Sequence, residues 1–492
     1  MRRALPGLGP KPDARSRLDI ALLLNDLPRL VIAILLAAAQ ALQPVQPIEA
    51  PPLSSLRAPL PQVQAEPVPE GPALTLAEAL EEMRLRSPDL AVALERVVQA
   101  QNNVKRAWAT LQPTLIANGS ETLNSVAAAL PPDFRTRGSR FSEAASLNFA
   151  WNLFNLRAVP ALSTAYQQID VARFTETQQR RELLLSVAST YYSGLALREL
   201  AAVALRQAKA THDHALEAQA RYQAGLVQLT AALRARIDYL RADEEVRRAR
   251  FNYAGAKSQL AALLDRRDTA FELAEPQRAP EEIRGAFQEL IGKALQERPE
   301  MAAARANEEI AARLKTDAWA QFLPSLALTA NARYNDPATS FTGDKGTWAV
   351  ALAVTLPLYD GGFRYVALKD ADSQIRQARA QTRGQAARIE DELRRAQLDL
   401  ESSRALRDEA EQALQVSREN ERLIRAQFAA GTAAQVEVSD AESALFQSES
   451  NALQQRLSVQ LGALRVAKAV GAFDLAEERE SRKAGASEGA RK

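Results

Sequence analysis

The segment from residue 362 to 471 restricts this chain to folds that contain very long helices. Between residues 363 and 428 there is no proline, and the only glycine is Gly384. Small or apolar residues recur there at steps of three and four, which is typical of a helix packed as in a coiled coil. They are Ile389, Leu393, Ala396, Leu400, Ala410 and Leu414. Since a helix of about 65 residues spans on the order of 100 Å, we predict two rod-like helices joined by a turn at 430–432.

The same arrangement occurs a second time, upstream of the first. A proline-poor run over 156–222, with Pro160 near its start, leads through a turn at Gly225 into a return helix over 228–264. Short matching segments precede both rods, and they are Trp-Ala-Thr-Leu-Gln-Pro at 108–113 and Trp-Ala-Gln-Phe-Leu-Pro at 319–324. Self-similarity of this kind indicates an internal duplication. We therefore predict two repeats, over 74–268 and 282–472, joined by a linker over 269–281.

Composition excludes several classes of function. Lys and Arg number 62 against 60 Asp and Glu, so the chain has no excess of positive charge for nucleic acid. Cysteine is absent, which excludes disulfides, thiolate metal sites and a lipid on an N-terminal cysteine. The two histidines, His212 and His214, lie two residues apart on a helix and so point away from each other. We expect both to face solvent, and we expect no metal and no cofactor.

The sequence also gives no sign of catalysis. It contains no nucleophile-base pairing, no glycine-rich phosphate loop and no set of ligands at metal-binding spacing. We therefore expect that the protein is not an enzyme.

The two ends of the chain differ in composition from the repeats. An apolar run at 30–39 follows a basic lead-in, and Ala39-Gln40-Ala41 has the small-x-small form of a cleavage site. This pattern predicts an export signal over 1–41, with a peripheral helix as the alternative. Residues 42–73 are rich in proline and 473–492 are charged and small, so we expect both to be disordered.

Four short segments alternate apolar residues with polar or small ones, as β-strands do. They lie at 112–124, 143–154, 324–335 and 347–357, and they form one predicted hairpin in each repeat, over about 112–154 and 324–357. About ten alternating residues match a tilted strand that crosses a membrane. Two hairpins cannot close a barrel, and open sheet edges are not tolerated in lipid. Several chains would therefore share one barrel, whereas a soluble hairpin is the alternative.

Tryptophan marks the same regions. All four tryptophans lie in or beside the predicted strands, and they are Trp108, Trp151, Trp319 and Trp348. Indoles are enriched at the two interfaces of a membrane, so we predict that these side chains form interfacial belts. Ordinary packing is the alternative for Trp108 and Trp319.

Four segments of the chain have the pattern of a known protein family: Pro-Leu-Tyr-Asp-Gly-Gly at 357–362, the run at 183–195 with Tyr191-Tyr192, the turn at 431–441 and the closing run at 464–471. On these segments, the chain over 74–472 resembles the TolC-like outer-membrane efflux proteins. The resemblance implies a mainly α fold with a small membrane β part. Duplicated helical hairpins would form a periplasmic α-barrel tunnel, and three chains would contribute four strands each to one transmembrane β-barrel.

The resemblance also implies a function and a location. The protein would be a passive export channel of the outer membrane, within a tripartite efflux pump or a type I secretion system. Its expected partners are two further copies of itself, a periplasmic adaptor (a membrane fusion protein), an inner-membrane pump and outer-membrane lipid. A periplasmic coiled-coil adaptor or scaffold protein is the alternative, although that function would not explain the strand pairs.

Particular residues acquire roles from the resemblance. Glu437 and Asp440 match the acidic positions that ring the periplasmic entrance, and their spacing of three places them on one face of the return helix. The adaptor-docking tips correspond to Gly225, Leu226 and Val227, together with Gly431 and Thr432. The first repeat departs from the family pattern, with Ala231 in place of an acid and Asn155-Leu156-Arg157 in place of Asp-Gly-Gly. We therefore expect the second repeat alone to build the constriction.

Overall fold

The computed structural model of the chain describes residues 71–123, 141–276, 282–338 and 343–472. The predicted signal region, residues 42–70 of the proline-rich leader and the C-terminal tail lie outside these residues. What we predict for them therefore stays a prediction.

Eight helices make up most of the described residues. They are α1 (Leu76–Arg86), α2 (Pro88–Ala109), α3 (Ala158–Gln223), α4 (Leu229–Leu263), α5 (Phe287–Glu297), α6 (Pro299–Ala320), α7 (Phe363–Ala429) and α8 (Gln435–Val470). The strands are β1 (Ala73–Leu74), β2 (Thr114–Leu123), β3 (Phe141–Phe154), β4 (Glu272–Leu273), β5 (Ser325–Asp336) and β6 (Gly346–Thr355).

The order of these elements confirms the duplicated fold. In the first repeat, α1 and α2 lead into the β2–β3 hairpin, which continues into the long helices α3 and α4. The second repeat has the same order, with α5, α6, β5, β6, α7 and α8. The four long strands lie within two residues of the predicted bounds at each end.

Local sequence signals set the helix ends. At the start of α1, Thr75 Oγ1 accepts from the Glu78 N–H at 3.2 Å and the Glu78 carboxylate accepts from the Thr75 N–H at 2.9 Å, which is a capping box. Pro88 and Pro299 stand at the first positions of α2 and α6, where a missing N–H costs nothing. Pro160 falls within the first turn of α3, where its missing N–H removes no hydrogen bond of the helix. This helix therefore continues unbroken for 66 residues.

Each long helix packs against its return helix along a narrow seam. The six seam residues predicted in α7 are all buried, and Ile389 and Leu393 are fully so. In the first hairpin the seam is made mostly of alanine, including Ala204, Ala208 and Ala249. Small side chains let the helix axes approach closely over a long distance, and this buries apolar area without a wide globular core.

The four long strands form one antiparallel sheet with the order β2-β3-β5-β6. The two hairpins therefore join side by side through β3 and β5, with an irregularity in register between Asn152 and Phe154. Within the described parts of the chain, strands β2 and β6 each have a neighbour on one side only. Their outer edges carry backbone groups that need a further partner wherever water is absent.

A second, two-stranded sheet was not predicted. Strand β1 pairs in parallel with β4, which falls within the predicted linker. Both strands lie on the largest apolar cluster, where Tyr191 and Phe271 are fully buried. The Tyr191 hydroxyl lies 2.8 Å from the Leu74 carbonyl and 2.6 Å from the Ala274 carbonyl, so it can donate to either. This sheet therefore ties the segment before the first repeat to the segment between the repeats.

Candidate functional site

The four-stranded sheet has two chemically different faces. The strand registers align alternate residues in rows across the sheet. The first face, which we call the apolar face, carries Leu115, Ala117, Leu147, Phe149, Leu328, Val350, Leu352 and Val354. Most of its large side chains are exposed, with Leu352 63% and Val354 71% exposed, whereas Phe149 and Leu328 are half-buried. So much exposed apolar surface in one patch marks an interaction with a membrane or with another protein.

The opposite face, which we call the polar face, bears small and hydrophilic residues apart from Ile116. They include Thr114, Asn118, Ser120, Ser142, Ser146, Asn148, Thr329, Asn331, Arg333 and Thr347. Some of these side chains bond to each other, since the Asn148 amide donates to Ser146 Oγ at 3.1 Å. A sheet with one apolar and one hydrophilic face fits a barrel wall between lipid and water.

The predicted interfacial tryptophans lie toward the two ends of this sheet. Trp151 is on the apolar face near the helical end, where its indole N–H donates to the Leu111 carbonyl at 3.0 Å. Trp348 is on the same face near the opposite end and is 79% exposed. Trp108 and Trp319 end α2 and α6 just below the strands, and the Trp108 N–H donates to Tyr166 Oη at 3.2 Å. The interfacial role of the four residues stays a prediction.

The hairpin tips lie at the far ends of the long helices and have nearly identical backbones. Gly225 and Gly431 adopt φ of +73° and +76°, a left-handed conformation that favours glycine. The residue after each glycine closes the turn, since the N–H of Leu226 donates to the Arg221 carbonyl and that of Thr432 to the Gln427 carbonyl, both at 2.9 Å. Among the predicted docking residues Val227 is half-buried, whereas Gly225, Leu226, Gly431 and Thr432 are exposed.

Glu437 stands in the first turn of α8, just after the second tip. Its carboxylate accepts a hydrogen bond from the Ala434 N–H at 3.0 Å and so caps the helix. The side chain is exposed, and one turn later Asp440 is exposed as well. The structure therefore places both predicted entrance acids beside each other at the tip, on the second repeat.

The first repeat supplies groups to the same place that sequence analysis missed. Arg234 of α4 lies 3.8 Å from the Asp440 carboxylate. One turn farther on, Ser439 Oγ donates to the Asp238 carboxylate at 2.6 Å. The sequence did contain an indication that Arg234 and Asp440 occupy corresponding places. Arg234 follows Gly225 by nine positions, and Asp440 follows Gly431 by the same nine. Polar contacts therefore join the two repeats beside the entrance acids.

An ionic cluster around the buried carboxylate of Glu442 joins the repeats above the tips. His214 Nε2 of α3 lies 2.7 Å from Glu442 of α8, whose side chain is only 4% exposed. Arg425 of α7 approaches the same carboxylate at 2.9 Å. The hydrogen bond to Glu442 raises the pKa of His214.

The prediction that both histidines face solvent is wrong. The His214 side chain is largely buried against Glu442. The ring of His212 packs edge-to-face against that of Tyr239 in α4, with 4.9 Å between the two ring centroids. The physical reason is that α3 packs against α4 on the side of His212 and against α8 on the side of His214, so both helix faces meet a partner.

No group of three acidic, histidine or cysteine side chains in the described residues could hold a metal ion. No helix within those ranges is long and apolar enough to cross a membrane.

Comparison with known proteins places the chain among channel proteins. The sequence model named "Outer membrane efflux protein" matches residues 79–266 and 290–472, so each repeat is matched separately. The outer membrane protein TolC of Escherichia coli K12 is 21% identical over 415 residues, which cover 81% of this chain and 82% of that protein.

Solved structures share the fold. The outer membrane protein VceC from Vibrio cholerae superposes with a TM-score of 0.64 at 22% identity, covering 80% of this chain and 96% of that one. The CmeC outer membrane channel of Campylobacter jejuni superposes with a TM-score of 0.67 at 16% identity, covering 83% and 88%. At these identities the likeness concerns the fold alone.

Proposed function

The chain belongs to the outer membrane efflux protein family, and on that premise we propose that it is a passive export channel built from three copies. It is an outer membrane protein, as the resemblance implied. In this proposal the sheet crosses the membrane and the long helices enclose a tunnel in the periplasm. Solutes would enter at the hairpin tips and leave through the barrel.

The observation that carries the proposal is the sheet with one apolar face and two unpaired edges. Lipid offers no hydrogen bonds to the edges of β2 and β6. Closing the sheet on itself is not feasible with four strands, because small membrane barrels need about eight. Three chains with four strands each give twelve strands and pair every edge. The apolar face then contacts lipid and the polar face lines water.

The entrance is the part of the proposal that rests on single residues. Three chains would bring six carboxylates, from Glu437 and Asp440, toward the axis at the tips. Rings of acidic side chains attract cations in channels. The exposure of both side chains supports this assignment. The cap formed by Glu437 restricts where its charge can lie.

The tips are also where we place the adaptor. Leu226 is 74% exposed at the first tip, and Thr432 is exposed at the second. The two tips have matching backbones, so an adaptor could meet each in the same way.

Export itself needs no chemistry in this chain, because an inner-membrane pump would supply the energy. An adaptor or scaffold function would account for the long helices but not for the sheet.

Reconstitution of purified protein tests the proposal. Native mass measurement in detergent should give three chains, and the same preparation should conduct ions across a planar bilayer. A monodisperse, detergent-independent monomer without conductance would contradict the proposal and favour the scaffold alternative.

A double variant tests the entrance. Glu437→Gln with Asp440→Asn keeps the shape of both side chains and removes six charges per trimer. We expect weaker cation preference and weaker block by multivalent cations added on the tunnel side, because the acidic ring is gone. Asp399→Asn with Glu401→Gln is the matched control, since these exposed acids of α7 lie far from the tips. If the two double variants had equal ion selectivity, the assignment of Glu437 and Asp440 to the entrance ring would be wrong.

A further inference from the structure

The polar face of the sheet carries a single charged residue among the described strands, Arg333. The other charged residues of these strands are Glu121, Glu143 and Asp336, and the registers put all three in rows of the opposite face. Arg333 lies three residues before the end of β5 that is farther from the helices. Its row across the sheet is otherwise neutral and hydrophilic, made of Asn118, Ser146 and Thr347.

The guanidinium of Arg333 has no acidic partner among the described residues. The side chain is exposed, and within the described residues it forms no hydrogen bond or ion pair. The acid nearest in sequence, Asp336, is instead bonded to Lys345 at 2.6 Å. Charged residues on a sheet that faces lipid or a core are normally paired. An unpaired arginine on the polar face therefore keeps its charge available to whatever fills the space that this face encloses.

We propose that Arg333 from three chains forms a basic ring in the lumen of the barrel, which binds anionic groups of solutes on their way out. This inference rests on the proposed trimeric channel. Three-fold symmetry would repeat the arginine at one height of the barrel. A guanidinium presents several N–H groups in a plane and binds carboxylate or phosphate oxygens in pairs. The amide and hydroxyl side chains of the row add neutral hydrogen bonds.

The ring would give the channel opposite charges at its two ends. Glu437 and Asp440 place negative charge at the tips, whereas Arg333 places positive charge near the exit. A solute that carries both an anionic and a cationic group would meet a favourable site at each end. The class of ligand assigned to the exit is therefore an organic anion or a zwitterion with a carboxylate, sulfonate or phosphate group.

Ion selectivity of the reconstituted trimer tests the assignment. Arg333→Gln should shift the reversal potential in a salt gradient toward that of the cation. It should also weaken block by pyrophosphate added on the barrel side, with a blocking constant about tenfold higher. Arg333→Lys keeps the charge and should retain most of the anion preference. Lys345→Gln removes the same charge at the same end of the barrel but outside the proposed ring, and it should retain wild-type block.

The outcomes separate this inference from the function on which it rests. Conducting channels in which Arg333→Gln leaves both pyrophosphate block and reversal potential unchanged would overturn the basic ring alone. Equal loss of block in Arg333→Gln and Lys345→Gln would likewise overturn it, because the effect would then follow net charge and not the lumen. Absence of any conductance from the wild-type trimer would overturn the proposed channel and the ring with it.

Discussion

His214 is surrounded by charges from three helices near the tips. Glu442 of α8 bonds to its imidazole and raises its pKa, Arg425 of α7 opposes that effect, and Glu217 of its own helix supports it. A raised pKa in the folded state means that folding favours the protonated form. The resulting stabilisation is complete below the ordinary histidine pKa and disappears as the pH rises through the raised value. The contact between the repeats is therefore strongest in acid.

Replacement of this imidazole should give a pH-dependent loss of stability. We expect His214→Gln to lower stability by about 1–2 kcal/mol per chain near pH 5, where the charged hydrogen bond is intact, and by less near pH 9. Thermal unfolding of the detergent-solubilised protein, followed by circular dichroism at both pH values, measures the difference. His212→Gln is the control, since that ring packs on Tyr239 in its own repeat. A deficit in His214→Gln that is equal at both pH values would rule out the protonated contact.

At the scale of elements, the small β1–β4 sheet depends on one side chain from α3. Tyr191 contacts the carbonyls of Leu74, which ends β1, and of Ala274, which directly follows β4. Burial raises the pKa of Tyr191 to about 12, so the hydroxyl stays protonated and able to donate at physiological pH. The strands have only two residues each and add few hydrogen bonds of their own.

Removal of this hydroxyl should loosen the sheet without disturbing the long helices. We expect Tyr191→Phe to cost about 1–3 kcal/mol, because buried carbonyls lose a donor while the ring still fills its space. Hydrogen exchange should become faster at 73–75 and 272–274. The buried neighbour Tyr192 provides the control variant, Tyr192→Phe. Unchanged protection of both segments in Tyr191→Phe would show that the tyrosine does not hold the sheet.

Sequence periodicity predicted the long elements and could not predict the short ones. Repeated three- and four-residue steps over tens of residues identify a helix such as α7, and alternation over ten residues identifies β6. Strands β1 and β4 are too short to have a period, and their pairing depends on tertiary contact with Tyr191. The same limit applies at the tips. Glu437 could be placed by resemblance, whereas the partner of Asp440 required knowledge of which face of α4 meets α8.

At the scale of the molecule, the duplication specifies how neighbouring chains should pair. Strand β2 corresponds to β5, and β3 corresponds to β6, since the matching Trp-to-Pro segments precede β2 and β5. The contact of β3 with β5 inside the chain is thus equivalent to the contact of β6 with β2 of the next chain. Within the chain, Ser146 faces Arg333. Their counterparts in the other repeat are Ala351 and Thr122.

Introduced cysteines should confirm this register. The chain has no cysteine of its own, so Thr122→Cys with Ala351→Cys leaves only one possible bridge. Directly opposed residues on antiparallel strands lie about 4.5–5.5 Å apart at Cα, which suits a disulfide. We expect oxidation to yield covalent trimers on a non-reducing gel. Thr122→Cys with Thr347→Cys shifts the pair by four residues and should give little product. Efficient bridging of the shifted pair alone would contradict the register.

Arg234 and Asp440 stand at corresponding places in the two repeats and carry opposite charge, 3.8 Å apart. The two halves of this gene are consequently no longer interchangeable. Two copies of the second half would set aspartate against aspartate here, and two copies of the first would set arginine against arginine. If the trimer were instead a ring of six identical half-length chains, like charges would oppose each other wherever two of the chains meet. The fused, unequal chain can satisfy the contact, so divergence at this position favours one fused chain over two separate halves.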